Sequence, residues 1–574
     1  MESLTQRSLP RVRAVFAAIV IVLIAIGLQL VRLQVIKAAA APAAVGRNQY
    51  GNLLPPHRGN IVDRAGNLLA TDGVRYQISV TGAITETEII SLTQRLAPWL
   101  EMPTTELEKR LRNHHGGVTV LKFYASQAAA AEVERWQTSS LRVERLPRRF
   151  YPEDTDAAFL LGFATADQIG RYGVEAKYDA FLRENGDMAV TNLENHVRAL
   201  PSDFSLDIPS PVGRDLVLTI DRRIQAIVED ELKFAVDYYG ATGGTIIVMD
   251  PKTGEILAMA SAPGYSPNTF YTLDAQAQSG SDKHDPFTDP ALGLLYEPGS
   301  VFKIVTMASG LDSGKVTLTQ KFNDEGVLEV GERQIRNSDR EAHGAVTIPT
   351  ILQRSLNIGS AQVALAMGAD TFYSYVERFG FGNVTGVDLS GEVRGIVKKP
   401  KASTEWSPSD LATNAFGQGI SVTPLQMICA VSAVANNGVM MRPHVVKAIV
   451  DHGRWFEIQP SPMRVAISAQ TARLMTDVLV SVVENGGTNL AAVPGYRIAG
   501  KTGTAEIPGR TAYDSDLTIS TYVGYAPADD PRFAVLVKLD KTRLSVWAGH
   551  TSAPTFQRLA RRLFTLMNIP PSDG

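Results

Sequence analysis

The chain has 574 residues, 44% hydrophobic and 20% charged, with a formal net charge of −3. This excludes a disordered chain, leaves room for two or more domains, and removes any global electrostatic reason to expect nucleic-acid binding. The single cysteine, Cys429, excludes an intramolecular disulfide and sits in an apolar run as a small core residue.

The first element is a membrane segment. Residues 14–28 are apolar apart from Gly27, and Gln29, Leu30 and Val31 extend the stretch to Arg32. That length just spans a bilayer core. Arg7, Arg11 and Arg13 precede it against only Glu2. The positive-inside rule therefore puts a cytoplasmic tail at 1–13 and the mass of the chain outside the plasma membrane. A signal peptide cleaved among the alanines at 38–44 is the competing reading. The length of the run, with Arg32 and Lys37 before those alanines, favours an uncleaved anchor and juxtamembrane segment at 14–37.

Beyond the anchor, Ile61 and Val62 predict a strand, Asp63-Arg-Ala-Gly66 a turn, and Leu68-Leu-Ala70 the return strand. Chemically this hairpin is mute. Helical patterns follow at 86–100 and 104–112, a strand at 118–123, and a short helix at 157–163. His114-His115 lacks cysteine or carboxylate partners at ligand spacing, so no metal site is expected there. Prolines, serines and aspartates cluster at 201–213 and mark a boundary. After it come a strand at 216–220 and a helix capped by Asp221, with Ile224, Ile227, Val228, Leu232, Ala235 and Val236 on its apolar face. Strands at 244–249 and 256–261 form a hairpin around Asp250-Pro-Lys-Thr-Gly-Glu255.

Tyr296-Glu-Pro-Gly-Ser-Val-Phe-Lys-Ile leads into a buried helix that starts near Ser300 and ends before Gly314. Lys303 lies one turn from Ser300 on the same face. A lysine in apolar surroundings loses hydration and can act as a neutral base, which lets a neighbouring serine attack a carbonyl. Further on, Thr423-Pro-Leu-Gln426 is a capping box opening a helix to Ala435. Strands at 498–505, 521–526 and 533–539 and a helix at 556–566 close the chain. Strands from both ends of the domain around a helical block make the class α+β.

Ser355-Leu-Asn357 and Lys501-Thr-Gly-Thr504 complete a series with Ser300-x-x-Lys303. Each motif is weak alone. In this order they are the signature of penicillin-recognising serine acyl transferases. Ser300 would form an acyl-enzyme, with Lys303 as candidate base. The Ser355 hydroxyl could relay a proton to the leaving amine. Asn357 offers a donor and an acceptor for Lys303 and a substrate amide. Lys501, Thr502 and Thr504 suit a substrate carboxylate, and Gly503 lets a substrate backbone approach. The N–H groups of Ser300 and Thr504 could form an oxyanion hole, worth roughly 3–4 kcal/mol per donor.

The chain resembles the class B penicillin-binding proteins, bitopic peptidoglycan transpeptidases, over essentially its whole length. Arg58-Gly59-x-Ile-x-Asp63-Arg64-x-Gly66, Arg149-x-Tyr151-Pro152 and Gly173-x-Glu175 resemble that family's non-catalytic motifs, and Asp250-Pro-x-Thr-Gly-Glu255 and Phe416-Gly-Gln-Gly419 also match. The resemblance implies a pedestal (dimerisation-like) domain at 38–205 and a transpeptidase domain at 206–574. That domain would have an antiparallel sheet flanked by helices and an all-helical lobe, as in β-lactamases. Arg58, Gly59, Asp63, Arg64 and Gly66 would then form an interdomain motif. Val301 and Ser266 depart from the commoner family residues without touching the chemistry.

The implied substrates are stem peptides ending in D-Ala-D-Ala and an acceptor amine, with β-lactams as covalent inhibitors. No metal, cofactor or nucleic acid is expected. A multispanning glycosyltransferase and other division or elongation proteins are the implied partners. Tyr296-Glu-Pro-Gly-Ser and Phe416-Gly-Gln-Gly-Ile are closer to septal members than to elongation members. An elongation role, a D,D-carboxypeptidase or β-lactamase-like hydrolase, and a non-enzymatic division scaffold or sensor stay open at this point.

Overall fold

A computed structural model describes residues 58–183, 197–199, 213–273, 285–400, 403, 405–451, 453–486, 489–508 and 513–572. The expected anchor at 14–37 lies outside them. Among the described residues no helix is long and apolar enough to cross a membrane.

The hairpin expected after the anchor is present, and it does more than turn. Strand β1 (Ile61–Val62) pairs antiparallel with β2 (Leu68–Thr81), and β2 pairs with both β3 (Val118–Ala125) and β4 (Leu141–Phe150). The return strand runs well past Ala70 because β4 pairs with it from Thr71 to Val80. On its other side β1 pairs in parallel with β5 (Asp215–Leu218). One sheet thus runs from the N-terminal part of the chain across the 201–213 boundary. Helices α1 (Glu86–Leu100) and α2 (Thr104–Arg112) cover its outer end, with Thr85 and Glu88 forming a capping box on α1. The predicted helix at 157–163 is only Ala158–Leu161. Its ends are turned by Ala157 and Gly162 at positive φ.

Asp221 caps α3 (Arg222–Tyr239) by accepting from Arg223 N, and Ile224, Val228, Leu232 and Ala235 are its buried face. Strands β6 (Gly243–Met249) and β7 (Ile256–Ala262) form the expected hairpin. They join a five-stranded antiparallel sheet with β10 (Ala499–Pro508), β11 (Tyr513–Ala526) and β12 (Phe533–Asp540), in the order β7-β6-β12-β11-β10. Strands β8 (Val446–Asp451) and β9 (Arg454–Ile458) belong to the first sheet, with β8 beside β5.

Between β7 and β10 lies the helical block. Its centre is α4 (Lys303–Asp312), in which every residue from Lys303 to Gly310 is buried. Fully burying each of Ile304, Val305 and Met307 contributes about 1.5–3 kcal/mol, so the helix is anchored by hydrophobic burial. Around it stand α5 (Ile348–Arg354), α6 (Asn357–Met367), α7 (Pro424–Ala435) and α8 (Ala469–Asn485). Every residue of α7, Cys429 included, is buried. Helix α9 (Ser552–Leu566) packs on the five-stranded sheet through Phe556, Leu559 and Leu563.

The lobe expected to be all-helical is not. Two ribbons, Phe322–Asp324 with Gly344–Val346 and Leu328–Val330 with Arg333–Ile335, sit between α4 and α5. Each strand is three residues long. Such segments are too short for a period-two pattern, and they are held by turns at Gly326, Gly331 and Gly344, all at positive φ.

Candidate active site

Ser300 stands half-buried on a 3-10 turn, Gly299–Phe302, that leads directly into α4. Three chain segments meet at this turn because three glycines let them. A Cβ on Gly503 of β10 would lie 2.9 Å from both Pro298 O and Val301 N. A Cβ on Gly417 would lie 2.2 Å from Gly299 O, and Gly299 N donates to Gly417 O at 3.1 Å. Gly299 itself has φ +58 and faces Thr504 O. The glycine of Lys-Thr-Gly therefore serves the protein's own packing, seating the edge strand against the serine turn.

Lys303 is fully buried, yet its Nζ has three oxygen partners. It donates to Ser355 O at 2.5 Å and to Asn357 Oδ1 at 2.9 Å, and it reaches Ser355 Oγ at 3.3 Å. No hydrogen bond among the described residues joins it to Ser300. Lys501, 1% exposed, donates to Ser355 Oγ at 3.1 Å and to Thr502 O at 3.0 Å. Burial, and secondarily the neighbouring Lys501, holds Lys303 well below the usual lysine value. Burial alone brings Lys501 down to about 7. Among the described residues neither amine has a carboxylate partner, so desolvation of the charged form goes unopposed there.

Ser355 adopts a left-handed backbone, φ 57 and ψ 42, at the end of α5. That strained conformation turns its carbonyl and hydroxyl toward the lysines, and such strain persists where surroundings over-determine it. Asn357 begins α6. Its Nδ2 donates to Arg336 O at 3.0 Å, so one amide hydrogen is already committed within the protein. Thr504 Oγ1 accepts from Ala548 N at 3.1 Å, tying β10 to the 3-10 turn Ala548–His550 that precedes α9.

The expected interdomain motif lies at a polar junction. Arg58 pairs with Glu175 at 2.6 Å and with Asp179 at 2.6 Å, and Arg149 pairs with the same Glu175 at 2.7 Å. Arg58, Arg149 and Glu175 are all essentially sealed from solvent. A Cβ on Gly59 would collide with Arg214 O at 2.0 Å. Asp63 accepts from Ala65 N and Asn67 N, both at 2.8 Å, and so closes the turn that Gly66 completes at φ 88. Arg64 pairs with Glu255 of the β6–β7 loop at 3.0 Å.

In the sequence, Arg149 and Glu175 stand out only as members of motifs with no assigned role, and Asp324 and Asn337 do not stand out at all. Asn337 Oδ1 accepts from Asn357 N at 3.0 Å. The only signal for it is a polar run, Arg336-Asn-Ser-Asp339, that looks like any turn.

The geometry has close parallels. The penicillin binding protein transpeptidase domain family matches residues 244–561, and the penicillin-binding protein dimerisation domain family matches 53–218. The chain therefore belongs to the class B penicillin-binding proteins. It is 31% identical over 92% of its length, and 81% of the relative's, to stage V sporulation protein D of Bacillus subtilis. It is 30% identical to the peptidoglycan D,D-transpeptidase FtsI of Escherichia coli, covering 90% of this chain and 84% of that one. A crystal structure of penicillin binding protein 3 from Mycobacterium tuberculosis complexed with aztreonam superposes with a TM-score of 0.67 at 28% identity. That match covers 91% of this chain and 98% of the other.

Proposed function

We infer that the protein is a serine-type peptidoglycan D,D-transpeptidase whose nucleophile is Ser300, and that it is acylated by β-lactams. The observation that carries the reading is the hydrogen bonding of Lys303. A neutral amine has two hydrogens and one lone pair. Ser355 O and Asn357 Oδ1 can only accept, so they occupy both hydrogens and leave the lone pair, which the Ser355 hydroxyl approaches at 3.3 Å, as the acceptor of a hydroxyl proton. Burial already favours that neutral form.

In the proposed sequence, Ser300 Oγ attacks the penultimate D-Ala carbonyl of a donor stem peptide while Lys303 takes its proton. The developing oxyanion lies between the N–H groups of Ser300 and Thr504. As the C–N bond breaks, Ser355 passes its hydroxyl proton to the departing D-Ala amine and takes in turn the proton that Lys303 gained, across 3.3 Å, leaving Lys303 neutral again. An amine of a neighbouring stem peptide then attacks the acyl-enzyme and regenerates Ser300. Lys501, Thr502 and Thr504 receive the terminal carboxylate.

The family matches at 53–218 and 244–561 support a pedestal at 38–205 and a catalytic domain at 206–574. The apolar run and flanking arginines support a single anchor at 14–37, an N-terminus in the cytoplasm and catalysis at the outer face of the plasma membrane. A multispanning glycosyltransferase, contacting the anchor and pedestal, supplies the glycan strands. The sequence around Glu297 and Phe416 supports a septal role in division. Depletion that stops septation while lateral growth continues is expected on that reading, and lateral-wall failure with normal septa would overturn it.

The deciding experiment is labelling of wild type and Ser300→Ala by a fluorescent β-lactam. A lasting adduct on wild type and none on the variant is expected. No wild-type adduct, equal labelling of both, or rapid release of the hydrolysed drug would sink the assignment.

A further inference from the structure

We propose that Asn337, held by the buried carboxylate of Asp324, is a positioning residue that sets Asn357 and, through it, Lys303. The inference rests on the reading of Lys303 as the base for Ser300.

The arrangement begins in the first small ribbon. Asp324 ends the strand Phe322–Asp324 and is 1% exposed; Asn337 is 3% exposed. Asp324 Oδ2 accepts from Asn337 Nδ2 at 2.7 Å, and Asp324 Oδ1 accepts from Gly326 N at 3.0 Å. The second Nδ2 hydrogen goes to Glu341 O at 3.1 Å. A carboxylate and a carbonyl can only accept, so the orientation of the Asn337 amide is determined by chemistry. Its Oδ1 must face the other way.

There it accepts from Asn357 N at 3.0 Å and from Ile358 N at 3.2 Å. These are the first two N–H groups of α6, which have no partner inside their own helix. Leu356, at the position where a capping side chain normally stands, provides none. Asn337 supplies the cap from a distant part of the chain. The residue before it completes the grip: Arg336 O accepts from Asn357 Nδ2 at 3.0 Å. A carbonyl there forces the Asn357 amide nitrogen toward it and the amide oxygen toward Lys303, at 2.9 Å.

Adjacent residues 336 and 337 therefore hold Asn357 by side chain and by backbone. A cap alone would need only the backbone bonds. The side-chain bond decides that Lys303 meets an acceptor rather than a donor, and so which face of the amine keeps its lone pair.

The test uses the full chain and measures acylation by a fluorescent penicillin across pH, each rate normalised to the final labelled fraction. Asn337→Ala is expected to acylate on the order of 10- to 100-fold more slowly per labelled molecule, the scale on which misplaced catalytic groups act. Its acid limb should move to lower pH, because an amine whose charged form has lost a fixed acceptor is harder to protonate. Asp324→Ala leaves Asn337 in place but removes the carboxylate that fixes its amide, and should slow acylation in the same direction by less.

Wild-type rate and acid limb in Asn337→Ala would overturn the proposal, as would a loss confined to the labelled fraction. If Asn337→Ala folds too poorly to label, Asp324→Ala decides: a slower rate with the acid limb moved to lower pH supports positioning, and a wild-type rate and limb reject it. Failure of wild type to label, or labelling of Ser300→Ala, would instead reject the underlying catalytic reading.

Discussion

Lys303 and Lys501 share a partner: their Nζ atoms reach Ser355 Oγ at 3.3 and 3.1 Å. Two buried amines on one hydroxyl, with no carboxylate beside either among the described residues, is an arrangement that stays favourable only if at least one of them is neutral. It divides the labour of the site. The amine next to the serine turn is held down by burial and by its neighbouring lysine, and suits proton transfer. The one on the edge strand, at about 7, can gain a proton when an anion arrives.

The first expectation concerns binding of the carboxylate. Free Lys501 is neutral above pH about 7, and a bound carboxylate favours its charged form. Complex formation above that value must therefore take up a proton. The affinity of the initial β-lactam complex is expected to fall by about tenfold per pH unit above it, and to level off below. Stopped-flow acylation between acidic and alkaline pH measures this; a flat profile contradicts it.

Stability carries the opposite slope. The folded value of Lys501, about 7, lies below its unfolded 10.5. In that window the unfolded chain binds a proton that the folded chain does not, so stability rises with pH through it. Lys501→Met should flatten that rise in a denaturant titration repeated at several pH values. An unchanged slope would count against the depressed value.

Arginine tests whether Lys303 must lose its proton. Lys303→Arg keeps a charge and donors, but a guanidinium does not deprotonate in proteins. Acylation of the folded variant is expected to fall about 10²–10⁴-fold, the range for losing a positioned base. Retention of more than a tenth of the rate would show that Lys303 acts only as a charge.

Gly503→Ala addresses the packing of the edge strand. The new Cβ would sit 2.9 Å from backbone atoms of Pro298 and Val301, neither of which can rotate away. A destabilisation of about 1–3 kcal/mol is expected from overpacking. Acylation per folded molecule should fall as well, since β10 moves off the Ser300 turn. Thermal unfolding and labelling rate read the two effects separately.

At the junction, Glu175 holds both Arg58 and Arg149. Burial raises its pKa, but Arg149 and then Arg58 more than offset this and leave it below the usual 4.5. A depressed carboxylate stabilises the fold above its unfolded pKa, and that stabilisation disappears as pH falls through the folded value. Glu175→Ala leaves two guanidinium groups buried and should cost about 3–5 kcal/mol at neutral pH. It should also lose part of the wild type's acid-induced destabilisation. A melting temperature within a degree of wild type would contradict both points.

Local chemistry makes much of the fold legible in the sequence. The α1 and α2 boundaries, the Asp221 and Thr423 caps, the β6–β7 hairpin and the burial of Cys429 follow from periodicity and capping, which act over a few residues. The motifs Ser300-x-x-Lys303, Ser355-x-Asn357 and Lys501-Thr-Gly503 are recognisable because an acyl-transfer site needs a nucleophile, a base and an anion anchor.

Distance along the chain sets the limit. The hairpin at 61–70 reads as chemically mute because its partners, β5 and Glu255, come from far along the chain. Asn337 reads as an ordinary turn residue because its target is an N–H at the start of a distant helix, and Asp324 because it acts only through Asn337. The sequence carries the proposed reacting groups, since each proposed role demands a particular side chain. Tertiary structure supplies their protonation and aim. A pKa depends on what surrounds the group, and a hydrogen bond on what faces it, and both are set by segments that meet only on folding.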